Sequence, residues 1–158
     1  MSIVYFPTIH EDELLWSAIT RYYSHVGYIN EIEVAKDLYE NPKSFMNREF
    51  VHAFHKEAME KMTSQKDWNT IIEKHTMYPY YARFLCEKKR NKAYESLYYQ
   101  RGNYHNVMPI PIENGTRYFR YCPLCVKEDR ERLGETYWHR NHQLIGVNVC
   151  PIQDPRMG

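Results

Sequence analysis

Phe119-Arg120-Tyr121-Cys122-Pro123-Leu124-Cys125, followed by Tyr137-Trp138-His139-Arg140-Asn141-His142-Gln143 and then Val149-Cys150-Pro151, is the stretch around which the chain is organised. A Cys-x2-Cys knuckle places two thiolates on one tight turn, where both can reach the same ion. A third cysteine returns after a spacer of the length found in zinc ribbons. Cys122, Cys125 and Cys150 therefore predict one Zn2+ in a small zinc ribbon, or zinc finger, over residues 118–158. A short, loop-rich segment buries too little apolar surface to fold unaided, and a bound metal supplies the missing stability. The competing reading is reduced structural cysteines or a disulfide. A second Cys-x2-His half would end at position 153, which is Gln153, so the fourth ligand must be sought elsewhere.

His142 is the first candidate, because it lies on the return path toward Cys150 and imidazole is the commonest partner of three thiolates. His139, water or a group outside the chain compete with it. A histidine packed in the module and bonded to backbone is the plain alternative. A fourth position left open on zinc would allow catalysis, yet three thiolates donate so much charge that the ion becomes a poor Lewis acid. Cys86, beside Phe84 and Leu85 in a helical pattern, reads as a small buried hydrophobe. His52 and His55 have no carboxylate at His-Glu-x-x-His spacing and read as a helix surface. The chain contains no phosphate-cradling loop, no nucleophile elbow and no dinucleotide fingerprint, so no enzymatic activity is expected.

At 158 residues the chain is long enough for one domain with a core, or for a helical part plus a metal-stapled module. It carries 21 basic and 20 acidic residues, a net charge of +1, so no global field draws polyanions and any nucleic-acid contact depends on local clusters. The N-terminus has neither the apolar run nor the cleavage pattern of a signal peptide, which places the four cysteines in a reducing cytosol. Apolar stretches are broken within a few positions by Glu, Lys or Arg, so no membrane partner is expected.

The remaining chain predicts a mainly α-helical fold, an N-terminal helix-turn-helix-containing bundle over 1–107. Leu14, Leu15, Ala18, Ile19 and Tyr22 have helical spacing over about 11–25, with Asp12 and Glu13 expected in the first turn where the macrodipole favours acids. Gly27 suits a left-handed stop, and Asn30 caps a second helix with Ile32, Val34, Ala35, Leu38 and Tyr39 on its apolar side. Two helices across a short glycine-bearing turn form a helix-turn-helix candidate or an ordinary αα-hairpin. A third helix carries Phe50, Val51, Phe54, Ala58, Met59 and Met62. Asp67-Trp68 opens a fourth with Ile71 and Ile72, and one or two more cover 81–99 with Phe84, Leu85, Ala93, Leu97 and Tyr98 as core candidates. Met108-Pro-Ile-Pro111 and Asn114-Gly115 mark a linker over 108–117.

Two basic patches suit phosphate and base contact: Lys88, Lys89, Arg90 and Lys92 near a helix end, and Arg117 and Arg120 with Tyr118 and Phe119 at the knuckle. Each alone also reads as a solvated surface. The Arg117–Arg120 pair is expected to matter more, because a metal-fixed strand loses less side-chain entropy on contact.

Arg120-Tyr121-Cys122-Pro123-x-Cys125, Gly134-Glu135-x-Tyr137-Trp138-x-Arg140 and Cys150-Pro151 resemble the zinc-binding segment of the TnsD/TniQ family of transposon target-selection proteins. Phe6-Pro7 and Asp12-Glu13-Leu14-Leu15-Trp16-Ser17 with Arg21-Tyr22 resemble the family's opening. Ile71-Ile72-Glu73-Lys74-His75-Thr76-Met77-Tyr78-Pro79-Tyr80-Tyr81 resembles its middle. The family usually has a histidine where this chain has Gln153. The resemblance implies a non-catalytic adaptor in the bacterial cytoplasm, associated with the nucleoid. Such an adaptor binds DNA directly or through an RNA-guided complex, recruits an AAA+ regulator of the TnsC kind, and has a homodimer among its expected partners. The chain ends just after Cys150, where members usually continue, which fits a short member or the N-terminal part of a longer one.

Overall fold

Leu14 to Tyr22 form the apolar stripe that anchors the structure: Leu14, Leu15, Ala18, Ile19 and Tyr22 are all buried. The structure is a computed structural model and describes residues 3, 5–41, 49–50, 53–103, 106–108 and 118–153. The stripe lies along α1 (Leu15–Val26), which Gly27 ends at φ +76° by donating its N–H to the Tyr23 carbonyl. Asn30 caps α2 (Glu31–Leu38), its side chain accepting from the N–H groups of Ile32 and Glu33. Both helices and the turn match the sequence reading, but α1 starts four residues later than expected. Asp12 has φ +55° and stands outside the helix. Glu13 is fully buried and serves as an acceptor, so neither acid acts on the α1 dipole.

α3 (Lys56–Thr63) is shorter than expected, because Ala53 has φ +66° and Phe54 pairs with Tyr39 in an isolated antiparallel bridge. Phe50, Phe54, Ala58 and Met62 are nevertheless core residues. His55 is the residue preceding α3, while Val51 and His52 lie outside the described residues. α4 (Trp68–His75) is capped by Asp67 and buries Ile71 and Ile72. The segment predicted as one or two helices is α5 (Tyr78–Ala82) and α6 (Glu87–Tyr98). Ala93 and Leu97 of α6 are buried, whereas Phe84 is 69% exposed and Tyr98 faces solvent. Cys86 is likewise exposed, at the start of α6, and is not the buried hydrophobe expected. The chain turns between α5 and α6, so the helical phase that would have buried Phe84 and Cys86 is broken at Arg83–Cys86, while Tyr98 stacks on Tyr94 on the outer side of α6.

The cysteine segment differs most from expectation. No strand is present among the described residues, so no ribbon hairpin forms there. Cys122 instead begins α7 (Pro123–Leu133), with Pro123 in the first turn and Gly134 stopping the helix at φ +80°. The charge-rich residues Glu128 to Arg132 lie within this helix. Proline is preorganised for a first turn, and Lys127 pairs with Glu131 one turn on at 3.8 Å.

The returning chain docks on the N-terminal segment. Leu14 N–H donates to the Trp138 carbonyl at 3.0 Å, Arg140 N–H to Asp12 at 2.6 Å, and Glu13 bridges His139. Phe119 lies between Trp16 and Trp138, with ring centroids 5.1 and 5.0 Å away. Beneath, Arg21 joins both parts, donating to Glu13 at 2.8 Å and to Glu135 at 2.6 Å. The linker predicted at 108–117 lies, apart from Met108, outside the described residues.

Candidate metal centre and basic surfaces

Helix α7 and the turn at 150–153 bring the three predicted cysteines together. The sulfurs of Cys122, Cys125 and Cys150 lie within 4.8 Å of one another, all buried, and those of Cys125 and Cys150 are 3.6 Å apart. These residues form a group able to hold a metal. Four ligands around zinc, at about 2.3 Å for sulfur and 2.0–2.1 Å for nitrogen, give tetrahedron edges of about 3.8 Å between sulfurs and about 3.6 Å between sulfur and nitrogen. His142, on a short 3-10 turn at Asn141–Gln143, has its Nε2 3.4 Å from Cys150 Sγ and 3.9 Å from Cys125 Sγ. These spacings match an imidazole sharing an ion with two of the thiolates.

The electrostatics suit a site for a cation. Burial and then the neighbouring Cys150 and Cys122 push the Cys125 thiol well above its ordinary range. Burial acts the same way on Cys150, but backbone N–H groups of Gln153 and Ile152 outweigh it and hold that thiol low. Three thiolates this close repel one another, and a divalent ion removes the conflict. Burial lowers His142 to about 4, so its ring is neutral and offers a lone pair at neutral pH.

Gln153 is not a side-chain participant. Its backbone N–H points at Cys150 Sγ at 3.4 Å, while its amide donates to Glu128 on α7 at 2.7 Å. His139, the rival candidate, pairs through Nε2 with the buried carboxylate of Asp129 at 2.8 Å and lies between the rings of Tyr137 and His142. Its ring packs tilted against that of His142, with 4.8 Å between centroids and 39° between planes. Asp129 was missed in the sequence because nothing local marks it off from the other acids of a charged tract. Its i+10 relation to His139 arises only from the turn after Gly134.

The basic candidates separate. Lys88, Lys89 and Arg90 stand exposed on the first turn of α6, with Lys92 beyond them. Arg90 also donates to the Leu85 carbonyl at 3.2 Å. Arg120 is differently used: its guanidinium donates to the carbonyls of Val147 at 2.5 Å and of Leu144, and its backbone exchanges hydrogen bonds with Gln143 at 2.9 and 2.7 Å. It staples the 144–148 loop next to the metal group. Arg117 lies outside the described residues. Around the sulfurs, Tyr121, Leu124, Val149 and Ile152 are each between 44% and 57% exposed.

A family model described as TniQ matches residues 4–153. The transposon Tn7 transposition protein TnsD of Escherichia coli is 28% identical over 155 residues, an overlap that covers 92% of this chain and 30% of TnsD. The chain thus spans about a third of the length of that curated relative. No helix among the described residues is long and apolar enough to cross a membrane.

Proposed function

Because the chain belongs to the TniQ family, we propose that it is a target-selection adaptor in DNA transposition, without an enzymatic activity of its own. The observation that carries this reading is the family match across residues 4–153, a span that includes the buried cysteine group. The adaptor binds DNA, directly or through an RNA-guided complex, and recruits an AAA+ regulator of transposition. It works in the bacterial cytoplasm, at the nucleoid.

The metal is Zn2+, held by Cys122, Cys125, Cys150 and His142, with His142 taking the role that Gln153 cannot fill. The 3.6 Å between the Cys125 and Cys150 sulfurs, with His142 Nε2 at 3.9 and 3.4 Å from the same two, supports this set. Zinc here is structural: it fixes α7 and the 150–153 turn against each other. In a competition with a chromophoric chelator, His142→Ala is expected to weaken zinc binding at least about tenfold, and Gln153→Ala to leave it within about twofold. The reverse order would move the fourth ligand to the chain end.

The cations that reach DNA are Lys88, Lys89 and Arg90 on α6. The Arg120 guanidinium bonds loop carbonyls, which supports the α6 cations as the main contact in place of the Arg117–Arg120 pair. The second helix of the α1–α2 pair is a poor groove reader, since residues 31–40 carry Glu31, Glu33, Asp37 and Glu40 against Lys36. Titration of labelled duplex DNA across salt is expected to show a slope reduced by about two when Lys88 and Lys89 become alanine. An unchanged slope would remove α6 from the interface.

A second reading has its own support. The exposed apolar residues Tyr121, Leu124, Val149 and Ile152 around the sulfurs suit a protein contact, so the module would serve protein partners with no DNA contact at all. Complete absence of DNA binding at low salt by zinc-loaded protein would favour it.

A further inference from the structure

The turn between α1 and α2 holds two aliphatic side chains that the core does not use. Ile29 is 88% exposed and Ile32 61% exposed, while Val34, Ala35 and Leu38 on the other side of α2 are buried. Solvent-facing helix positions ordinarily carry polar groups, and an exposed aliphatic pair costs solubility unless something covers it. The pair is contiguous with charge. Ile29 N–H donates to the Glu33 carboxylate at 3.3 Å, and Ile29, Glu33 and Asp37 follow one row at four-residue spacing beside the row of Ile32 and Lys36.

A recess of about 370 Å3 opens next to these rows, lined by Tyr28, Glu33, Lys36 and Asp37. Its wall is set in advance. The Tyr28 hydroxyl donates to Asp37, and the Tyr28 ring packs on Tyr22 and Tyr23 at 6.0 and 6.5 Å between centroids. Over residues 28–40 the sequence has four carboxylates and one lysine, which repels a phosphate backbone and attracts cations. An aliphatic ledge beside an acidic, aromatic-walled recess complements one kind of surface: aliphatic side chains on one stripe with a Lys or Arg head at its edge.

We propose that the α1–α2 turn is a protein-docking face for a cationic amphipathic segment. Aliphatic side chains of that segment cover Ile29 and Ile32, and its cationic head enters the recess between Glu33 and Asp37. The proposal rests on the adaptor reading, in which a chain that holds DNA on one face must hold a second protein on another. Lys36 lines the same recess and competes with the incoming cation.

The test uses the full zinc-loaded chain and a fluorescein-labelled amphipathic helix of leucine and lysine, followed by anisotropy, with the leucine–glutamate counterpart alongside. The lysine peptide is expected to bind and the glutamate peptide not to. Ile29→Asp with Ile32→Asp should weaken binding about tenfold or more, as should Glu33→Gln with Asp37→Asn, while Lys36→Ala tightens it. The Lys88→Ala, Lys89→Ala pair should leave peptide binding unchanged. All these positions are at least partly exposed, and thermal melts confirm that the variants fold. Peptide binding that survives the isoleucine changes, or equal binding of the glutamate peptide, overturns the proposal. DNA titrated in parallel separates the two readings. Loss of DNA binding in the folded isoleucine variant turns this face toward DNA and overturns the docking face. Absence of DNA binding by the unaltered chain, with the peptide results as expected, removes direct DNA contact from the adaptor reading and leaves the docking face standing.

Discussion

Arg21 shows how one side chain carries the junction between the two ends of the chain. Its guanidinium reaches Glu13, which has no exposed surface, and Glu135, which follows α7, while Thr8 supplies a further carbonyl at 3.0 Å. Removing one partner of a buried pair leaves the other charge uncompensated, which typically costs about 3–5 kcal/mol. Arg21→Ala is therefore expected to lower the unfolding free energy of the zinc-loaded protein by about that amount, measured by urea denaturation. The hydrogen bond from Arg21 is also the main reason Glu135 is lowered from 4.5 to about 2, with its charge and the His25 contact adding to the effect. His75 is the opposite case. Burial lowers it from 6.5 to about 4, and its Nδ1–H donates to the Glu13 carbonyl at 2.7 Å. Between those values the unfolded chain binds a proton that the folded chain refuses, so stability falls as pH drops from 6.5 toward 4. Glu135 acts lower: its contribution is complete above 4.5 and is lost as pH falls through about 2. Stability measured against pH should show a smaller upper step in His75→Asn, because His142 is lowered over the same range, and keep the lower one.

At the scale of elements, α6 places cations at the end of the helix where the macrodipole is positive, with Glu87 the one acid in that turn and no basic residue in the last turn. Local stability alone would favour the reverse arrangement. Lys88→Ala with Lys89→Ala should therefore raise the melting temperature slightly, by the equivalent of about 0.3–1 kcal/mol, even as it weakens DNA binding. A stabilised variant with reduced binding separates a functional cost from a folding defect. Arg120→Ala should behave in the opposite way, lowering stability through the 144–148 loop with little change in the salt slope of DNA binding. Much of this was legible beforehand. Helical spacing found α1, α2, α4 and α6, and Gly27, Asn30 and Asp67 marked ends by backbone chemistry that needs no distant partner. α7 was missed because its apolar residues are few, and what marks it is a proline start, a charge pair and two cysteines at its first turn.

For the whole molecule, the metal module is not a detachable appendage. The 135–140 segment shares backbone hydrogen bonds with Asp12 and Leu14, and Trp138 N–H donates to Ser17 at 3.0 Å. A module that stood apart from the helices would be released alone on chelation. The contacts now predict a wider release: hydrogen exchange after zinc removal should rise over 118–153 and also at Leu14, Ser17 and the start of α1. α4, α5 and α6, which pack on one another, stay protected. Exchange confined to 118–153 would mean that the N-terminal segment holds its shape without the module.

What the amino-acid sequence determined by itself was everything set by local spacing. That covers a mainly helical chain, a knuckle of Cys122 and Cys125 with Cys150 returning to it, and the helix ends written in Gly27, Asn30 and Asp67. Which side chains become partners was decided only by the tertiary structure. Whether Glu13 serves a helix dipole or a buried ion pair depends on how α1 turns Arg21 back toward it, and whether Arg120 meets solvent or loop carbonyls depends on a loop more than twenty residues away. So do the exposure of Cys86 and the placing of His142 beside two sulfurs while His139 turns to Asp129. The physical reason is range. Backbone conformation and periodicity are fixed by neighbours along the chain, whereas burial and charge pairing are fixed by whatever the folded chain brings alongside.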